Sequence, residues 1–159
     1  HNVKRVIRAL EYYQQTGQKI SEHNEAERQK TSPYHFAYFV LNDDRARLYD
    51  RIDHRVDAMI EAGLVDEVRA LQQDGCTRDM VSMQGLGYKE ILDYLNGKLS
   101  MDEAVRILKR DTRHFAKRQI TWFKREKDVI WVNRPEFHGK EDAILTYMVE
   151  QLQLRRICK

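Results

Sequence analysis

Cysteine is scarce in this 159-residue chain. Cys76 and Cys158 stand far apart without a C-x-x-C, so neither a disulfide framework nor a thiolate zinc site is suggested, and both read as free thiols. Proline occurs twice and glycine seven times, which excludes collagen-like and low-complexity chains and suits an ordered, mainly helical one. The longest apolar run, Phe36 to Leu41, has six residues, against about 18 for a membrane span. No signal-peptide pattern opens the chain. The expectation is a soluble, cytoplasmic protein without a membrane span. Motifs of self-contained catalysis are missing too: no G-x-x-x-x-G-K-[ST], G-x-G-x-x-G, H-E-x-x-H or G-x-S-x-G occurs. The six histidines, at 1, 23, 35, 54, 114 and 138, include no i, i+4 pair suited to a helical metal site. They read as surface or satisfied side chains, and no metal ligand is assigned.

What the chain has is charge, unevenly spread. The net charge is +3. Residues 105–125 carry Arg106, Lys109, Arg110, Arg113, Lys117, Arg118, Lys124 and Arg125 against Asp111 alone. That is +7 in a block whose surroundings sum to −4, the footprint of a face that meets a polyanion. Nucleic acid is the favoured partner, although membrane headgroups would answer to the same charge.

The length suits one domain, which would bury roughly 68–70% of its unfolded surface. Asn2 caps a first helix with Val3, Val6, Ile7 and Leu10 on one side, ending near Gly17. Residues 17–34 are polar and read as a connecting loop, with Pro33 discouraging helix. Residues 35–41 and 129–132 read as short strands. Asn42-Asp43-Asp44 opens a helix with the stripe Leu48, Ile52, Val56, Met59 and Ile60. A helix from Val65 to Gln73 follows, and residues 83–89 form a glycine-containing turn into a helix from Tyr88 to Leu95. Ser100-x-x-Glu103 is a capping box opening the longest helix, residues 101–125. Its predicted apolar stripe is Met101, Val105, Leu108, Phe115 and Trp122, with Arg106, Arg110, Arg113, Lys117 and Lys124 nearly opposite. Trp122 is assigned to the core on that pattern, although an exposed indole there could stack. A last helix spans residues 142–157.

Two features invite a ligand. Arg55 lies between Ile52 and Met59 on the border of an apolar stripe, with Arg51 one turn earlier. Such an arginine either snorkels to water or reaches a fixed anion. In Gly85-Leu86-Gly87 the absent side chains permit close backbone approach, and glycine is equally ordinary turn chemistry.

Four blocks carry a resemblance: residues 6–11 (VIRALE), 48–57 (LYDRIDHRVD), 84–90 (QGLGYKE) and 117–123 (KRQITWF). In this order and spacing they resemble the bacterial tRNA dimethylallyltransferases, also called tRNA isopentenyltransferases, over nearly the whole chain. The resemblance implies an α/β, predominantly helical fold: the C-terminal portion of a P-loop nucleotide-binding fold, with two short strands. It implies transfer of a dimethylallyl group from dimethylallyl diphosphate to N6 of adenosine 37 beside the tRNA anticodon, with Mg²⁺, by an enzyme monomeric in its complete form. By the same resemblance Arg55 is the catalytic arginine that contacts the prenyl diphosphate. The tRNA anticodon stem-loop would be held by Lys4, Arg5 and Arg8, by Gln84, Gly85, Gly87, Tyr88 and Lys89, and by Arg113, Lys117, Arg118, Gln119 and Lys124. The phosphate-binding loop, the aspartate that activates the adenine amine and most of the magnesium site belong to the N-terminal part of such proteins. They are not in these residues, so this stretch alone is expected to be inactive. The rival expectation is a non-catalytic RNA-binding helical module.

Overall fold

An asparagine before the first apolar-periodic run and a glycine after it set the limits of helix α1, Val3–Thr16. The computed structural model describes residues 2–157; His1 and Cys158, both assigned above, lie outside the described residues. The Asn2 side chain accepts from the Arg5 N–H at 3.3 Å, and Gly17 closes the helix at φ +70°. Contacts divide the chain into two units, His1–Phe36 and Ala37–Lys159.

The first unit holds α1 and a second helix, α2, Ile20–Gln29, where the sequence predicts a loop. The difference has a physical reason. This stretch has no apolar stripe to betray its period, and its turns are held by polar pairs at helical spacing: Lys19 with Glu22, Glu25 with Arg28 and Gln29, and Glu27 with Lys30. His23 lies against Tyr12 of α1, ring centroids 5.2 Å apart.

The second unit begins with strand β1, Tyr38–Asn42. Asp44, whose side chain accepts from the N–H groups of Ala46 and Arg47, caps α3, Arg45–Glu61. Then come α4, Leu64–Gln73, a 3-10 turn at Val81–Gln84, and α5, Tyr88–Leu95. The Ser100/Glu103 box opens α6, Met101–Phe123, with both reciprocal contacts present. Strand β2, Val129–Asn133, a 3-10 turn at Arg134–Phe137, and α7, Glu141–Leu154, complete the unit. The two strands pair with one another in parallel, Tyr38 opposite Val129 through Asn42 opposite Asn133. A parallel pair needs a crossover, and α3 to α6 supply it. The described chain is 67% helix, so the expected α/β, predominantly helical class with two short strands holds; the first strand starts at Tyr38 rather than residue 35.

The core of the second unit is Val56, Leu64, Val68, Met83, Ile91, Leu92 and Leu108, one cluster drawn from α3, α4, the 3-10 turn, α5 and α6. Cys76, a free thiol, packs half-buried against it. The stripe predicted for α6 needs correction. Its N-terminal half buries Ala104 and Leu108, but Phe115 and Trp122 are 45% and 53% exposed. Beyond Leu108 the inward row is Thr112, Ala116, Ile120 and Phe123, all half-buried. The helix packs on α3 and α5 and gains a further partner at its end, where Phe123 meets Tyr38 of β1 edge-on at 5.9 Å. A new partner on a different side rotates the buried face away from the Leu108-Phe115-Trp122 row.

Candidate functional site

Asp44 starts α3 so that Leu48, Ile52, Val56 and Met59 share one face with Arg51 and Arg55. Together with His54, Leu86, Leu108 and Thr112 they line a hollow of about 720 Å³. Arg55 is exposed at its rim, and no carboxylate among the described residues pairs with it. Arg51, one turn earlier, lies 3.7 Å from Asp43 Oδ2, which Arg134 approaches to 3.9 Å. An unpaired planar guanidinium above an apolar floor suits a ligand with an anionic head and a short apolar tail.

The glycine turn divides its two glycines by role. Gly87 is buried at φ +102°, a backbone region that L side chains rarely adopt, and its N–H donates to Glu90 Oε2 at 2.9 Å. Gly85 is exposed at φ −61°, a conformation any residue can take. Gln84 is exposed, with its side-chain amide 3.5 Å from the Asp79 carbonyl. Tyr88 donates its hydroxyl to Glu67; that bond, then burial, then the Glu67 charge hold the phenol above its ordinary value. The Lys89 ammonium lies 3.2 Å from Glu90 Oε1 and 3.9 Å from Asp111. Glu90 is 2% exposed and Oε1 has no donor in hydrogen-bonding geometry, so the Lys89 approach is an ion pair without a directed bond.

Along α6 the basic residues fall into two groups that sequence reasoning merged. Lys109 Nζ donates to Asp57 at 2.7 Å, Arg113 Nη1 reaches both oxygens of Asp53 at 2.7 and 2.5 Å, and Arg110 donates to Asp111 at 2.8 Å. Arg110, then Lys89, hold the Asp111 carboxyl below its usual range. Arg113 is therefore clasped to α3 rather than placed on the solvent face with Lys117. The missed partners had a signal: Asp53 and Asp57 are four apart on α3, and Lys109 and Arg113 four apart on α6, as two antiparallel helices require to pair charges in register.

Past Arg113, no carboxylate among the described residues pairs with Lys117, Arg118, Lys124 or Arg125. His114, Lys117, Arg118, Thr121, Trp122 and Arg125 line a second hollow, of about 510 Å³. Gln119 points elsewhere, into a hollow of about 330 Å³ with Asp43, Arg51 and Arg134 at the end of β1. Lys124 is exposed just past the helix. Lys4, Arg5 and Arg8 are exposed on α1, in the first unit. Among the described residues no three His, Cys, Asp or Glu side chains converge to hold a metal, and no helix is long and apolar enough to cross a membrane.

A guanidinium over an apolar hollow, and an unpaired cationic face with an exposed indole, are the features of this surface that offer chemistry to a ligand. The chain belongs to the IPP transferase family, whose pattern matches residues 1–126. It is 57% identical over 159 residues to a tRNA dimethylallyltransferase of Lachnoclostridium phytofermentans, covering all of this chain and 50% of that one. Its identity to the tRNA dimethylallyltransferase of Acetivibrio thermocellus is 52% over 144 residues, 91% of this chain and 46% of the relative. In structure it is similar to a full-length tRNA isopentenylpyrophosphate transferase from Bacillus halodurans, with TM-score 0.72 and 39% identity, over 98% of this chain and 47% of that one. The chain spans about half the length of the curated relatives it matches.

Proposed function

We propose that this chain is the part of a tRNA prenyltransferase that presents Arg55 to the prenyl diphosphate and grips the anticodon arm. The observation that carries the reading is Arg55 itself. It stands exposed and unpaired on the rim of an apolar hollow of about 720 Å³, where dimethylallyl diphosphate would set its hydrocarbon against Ile52, Val56 and Met59. In the transfer, the C–O bond of the donor breaks and a C–N bond forms to the exocyclic amine of adenosine 37. The amine loses a proton, and diphosphate leaves with the bonding electrons. Arg55 would donate two hydrogen bonds to the leaving diphosphate, where negative charge grows as the C–O bond lengthens.

The tRNA would meet Lys4, Arg5 and Arg8 on α1, the Gln84–Lys89 turn, and Lys117, Arg118, Gln119 and Lys124 on and after α6. Unstacked loop bases are where proteins read RNA sequence, and cationic side chains beside them hold the backbone. The adenine must leave the loop stack to present its amine. Magnesium belongs to this reading as an expectation only. It would be bound mainly by the N-terminal part of such an enzyme, and among the described residues no three His, Cys, Asp or Glu side chains converge to hold a metal.

In the complete enzyme, Arg55→Ala should lower the single-turnover rate about 10²–10³-fold, the cost of one preorganised donor, while tRNA affinity stays unchanged. An unaltered single-turnover rate overturns the role. A non-catalytic RNA-binding module would show the same tRNA affinity and no dependence of any rate on Arg55.

A further inference from the structure

The hollow at the end of α6 joins cations to an aromatic ring held in place. Trp122 lies on the apolar row predicted for the core, yet it is 53% exposed. It does not hang loose. Its ring meets Phe123 edge-on, centroids 5.1 Å apart, and Phe123 in turn meets Tyr38 of β1 edge-on at 5.9 Å. This chain of rings runs from the strand to the surface and fixes the indole from behind. Around it stand Lys117, Arg118 and Arg125 with His114 and Thr121. Arg118 sits over the Phe115 ring at 5.7 Å, a second aromatic surface with a cation on it, two turns away. None of these three cations has a carboxylate partner among the described residues, whereas Lys109, Arg110 and Arg113, earlier on the same helix, each have one.

A solvated helix face needs no exposed indole, and a core residue would not be half open. A surface for paired RNA has no use for a stacking ring, since the base faces of an A-form stem are covered by their neighbours in the stack. Rigid aromatic rings between unpaired cations serve a different ligand: an unpaired nucleotide, whose base stacks on the ring while its flanking phosphates meet the cations. We infer that Trp122 is a stacking platform for one unpaired base of a bound RNA, with Lys117, Arg118 and Arg125 holding the phosphates on either side. This rests on the proposed tRNA reading and sharpens it, because it places a loop nucleotide, rather than the paired stem, at this end of α6.

The test uses the 159-residue chain with two probes: an RNA hairpin of anticodon-arm size, and a blunt RNA duplex of the same stem sequence. Trp122→Leu should weaken hairpin binding by about 5- to 150-fold, the range for losing one stacked base. Duplex binding and the salt slope of hairpin binding should not change. Trp122→Phe, which keeps a ring, should recover most of the lost affinity. Lys117→Ala should instead lower the salt slope by about 0.7–0.9. Hairpin affinity equal to wild type in Trp122→Leu overturns the platform and leaves the tRNA reading standing. Equal losses on hairpin and duplex overturn it too, since that pattern marks a general packing role. Failure of the unaltered chain to bind either RNA removes the tRNA reading and the platform with it.

Discussion

Breaking the Arg113–Asp53 contact should cost stability rather than RNA affinity. One terminal nitrogen of Arg113 lies 2.7 Å from Oδ1 and 2.5 Å from Oδ2 of Asp53, so the bond is shared between two oxygens and is not the two-nitrogen fork that gives the strongest pairs. Two unit charges about 4 Å apart attract by about 4 kcal/mol at an effective dielectric of 20, and by about 1 kcal/mol in water. The side chains are 31% and 34% exposed, which moves the pair towards the lower figure, and ordering two long side chains takes more away. A coupling of about 1 kcal/mol is the result, at the top of the range for partly exposed pairs. Urea unfolding of the unaltered chain, Arg113→Ala, Asp53→Ala and the double variant measures it as a cycle. The coupling should shrink as salt is raised. In parallel, hairpin RNA binding by Arg113→Ala should keep the salt slope of the unaltered chain, in contrast to Lys117→Ala. A coupling under about 0.2 kcal/mol, together with a salt slope lowered by Arg113→Ala, would show the guanidinium turned to RNA and refute the division of α6 into a paired and an unpaired half.

The two turn glycines should part company: Gly87→Ala, forced to φ +102°, should lose about 1–3 kcal/mol for holding a strained backbone, while Gly85→Ala at φ −61° should be neutral or gain about 0.4–1 kcal/mol. Equal urea midpoints for the two would contradict this. Leu92→Ala, truncating a side chain 1% exposed in the central cluster, should cost about 2–5 kcal/mol, and a loss below 1 kcal/mol would show that the cluster is not the core. The Glu103 carboxyl is held below its ordinary value of 4.5 first by the Ser100 N–H, then by the Ser100 hydroxyl and the nearby Arg106. The folded state therefore binds this proton less readily than the unfolded state. The stability it supplies is complete above about pH 4.5 and is lost as pH falls through the lower folded value. Glu103→Gln keeps the capping box and should flatten that part of the acid limb in urea midpoints taken from pH 3 to 7; an unchanged limb refutes the cause.

Much of the frame was legible in the residues. Asn2 and Gly17 around α1, Asp44 before α3, and Ser100 with Glu103 at α6 are local contacts between neighbours in sequence, and each stands as its residue types predict. The α2 helix was not legible, because its pairs are polar and hydrophobic periodicity has nothing to register there. For the candidate site, the border position of Arg55 followed from its spacing between Ile52 and Met59, but spacing left open whether it faced water or a ligand. The hollow lined also by Leu86 and Leu108 comes from two other elements and appears only when they pack together.

The sequence by itself determined the capped ends of α1, α3 and α6, which face of α3 is apolar, and that residues 105–125 hold a dense excess of positive charge. These depend on residues within a few turns of one another. Tertiary structure alone decided which of those charges stay available. Asp53 and Asp57 cross from α3 to take Arg113 and Lys109, leaving Lys117, Arg118 and Arg125 around an indole that β1, by drawing Phe123 inward, keeps at the surface. The reason is geometric: a charge is neutralised, and a ring buried, only by a partner that long-range packing brings within a few ångströms.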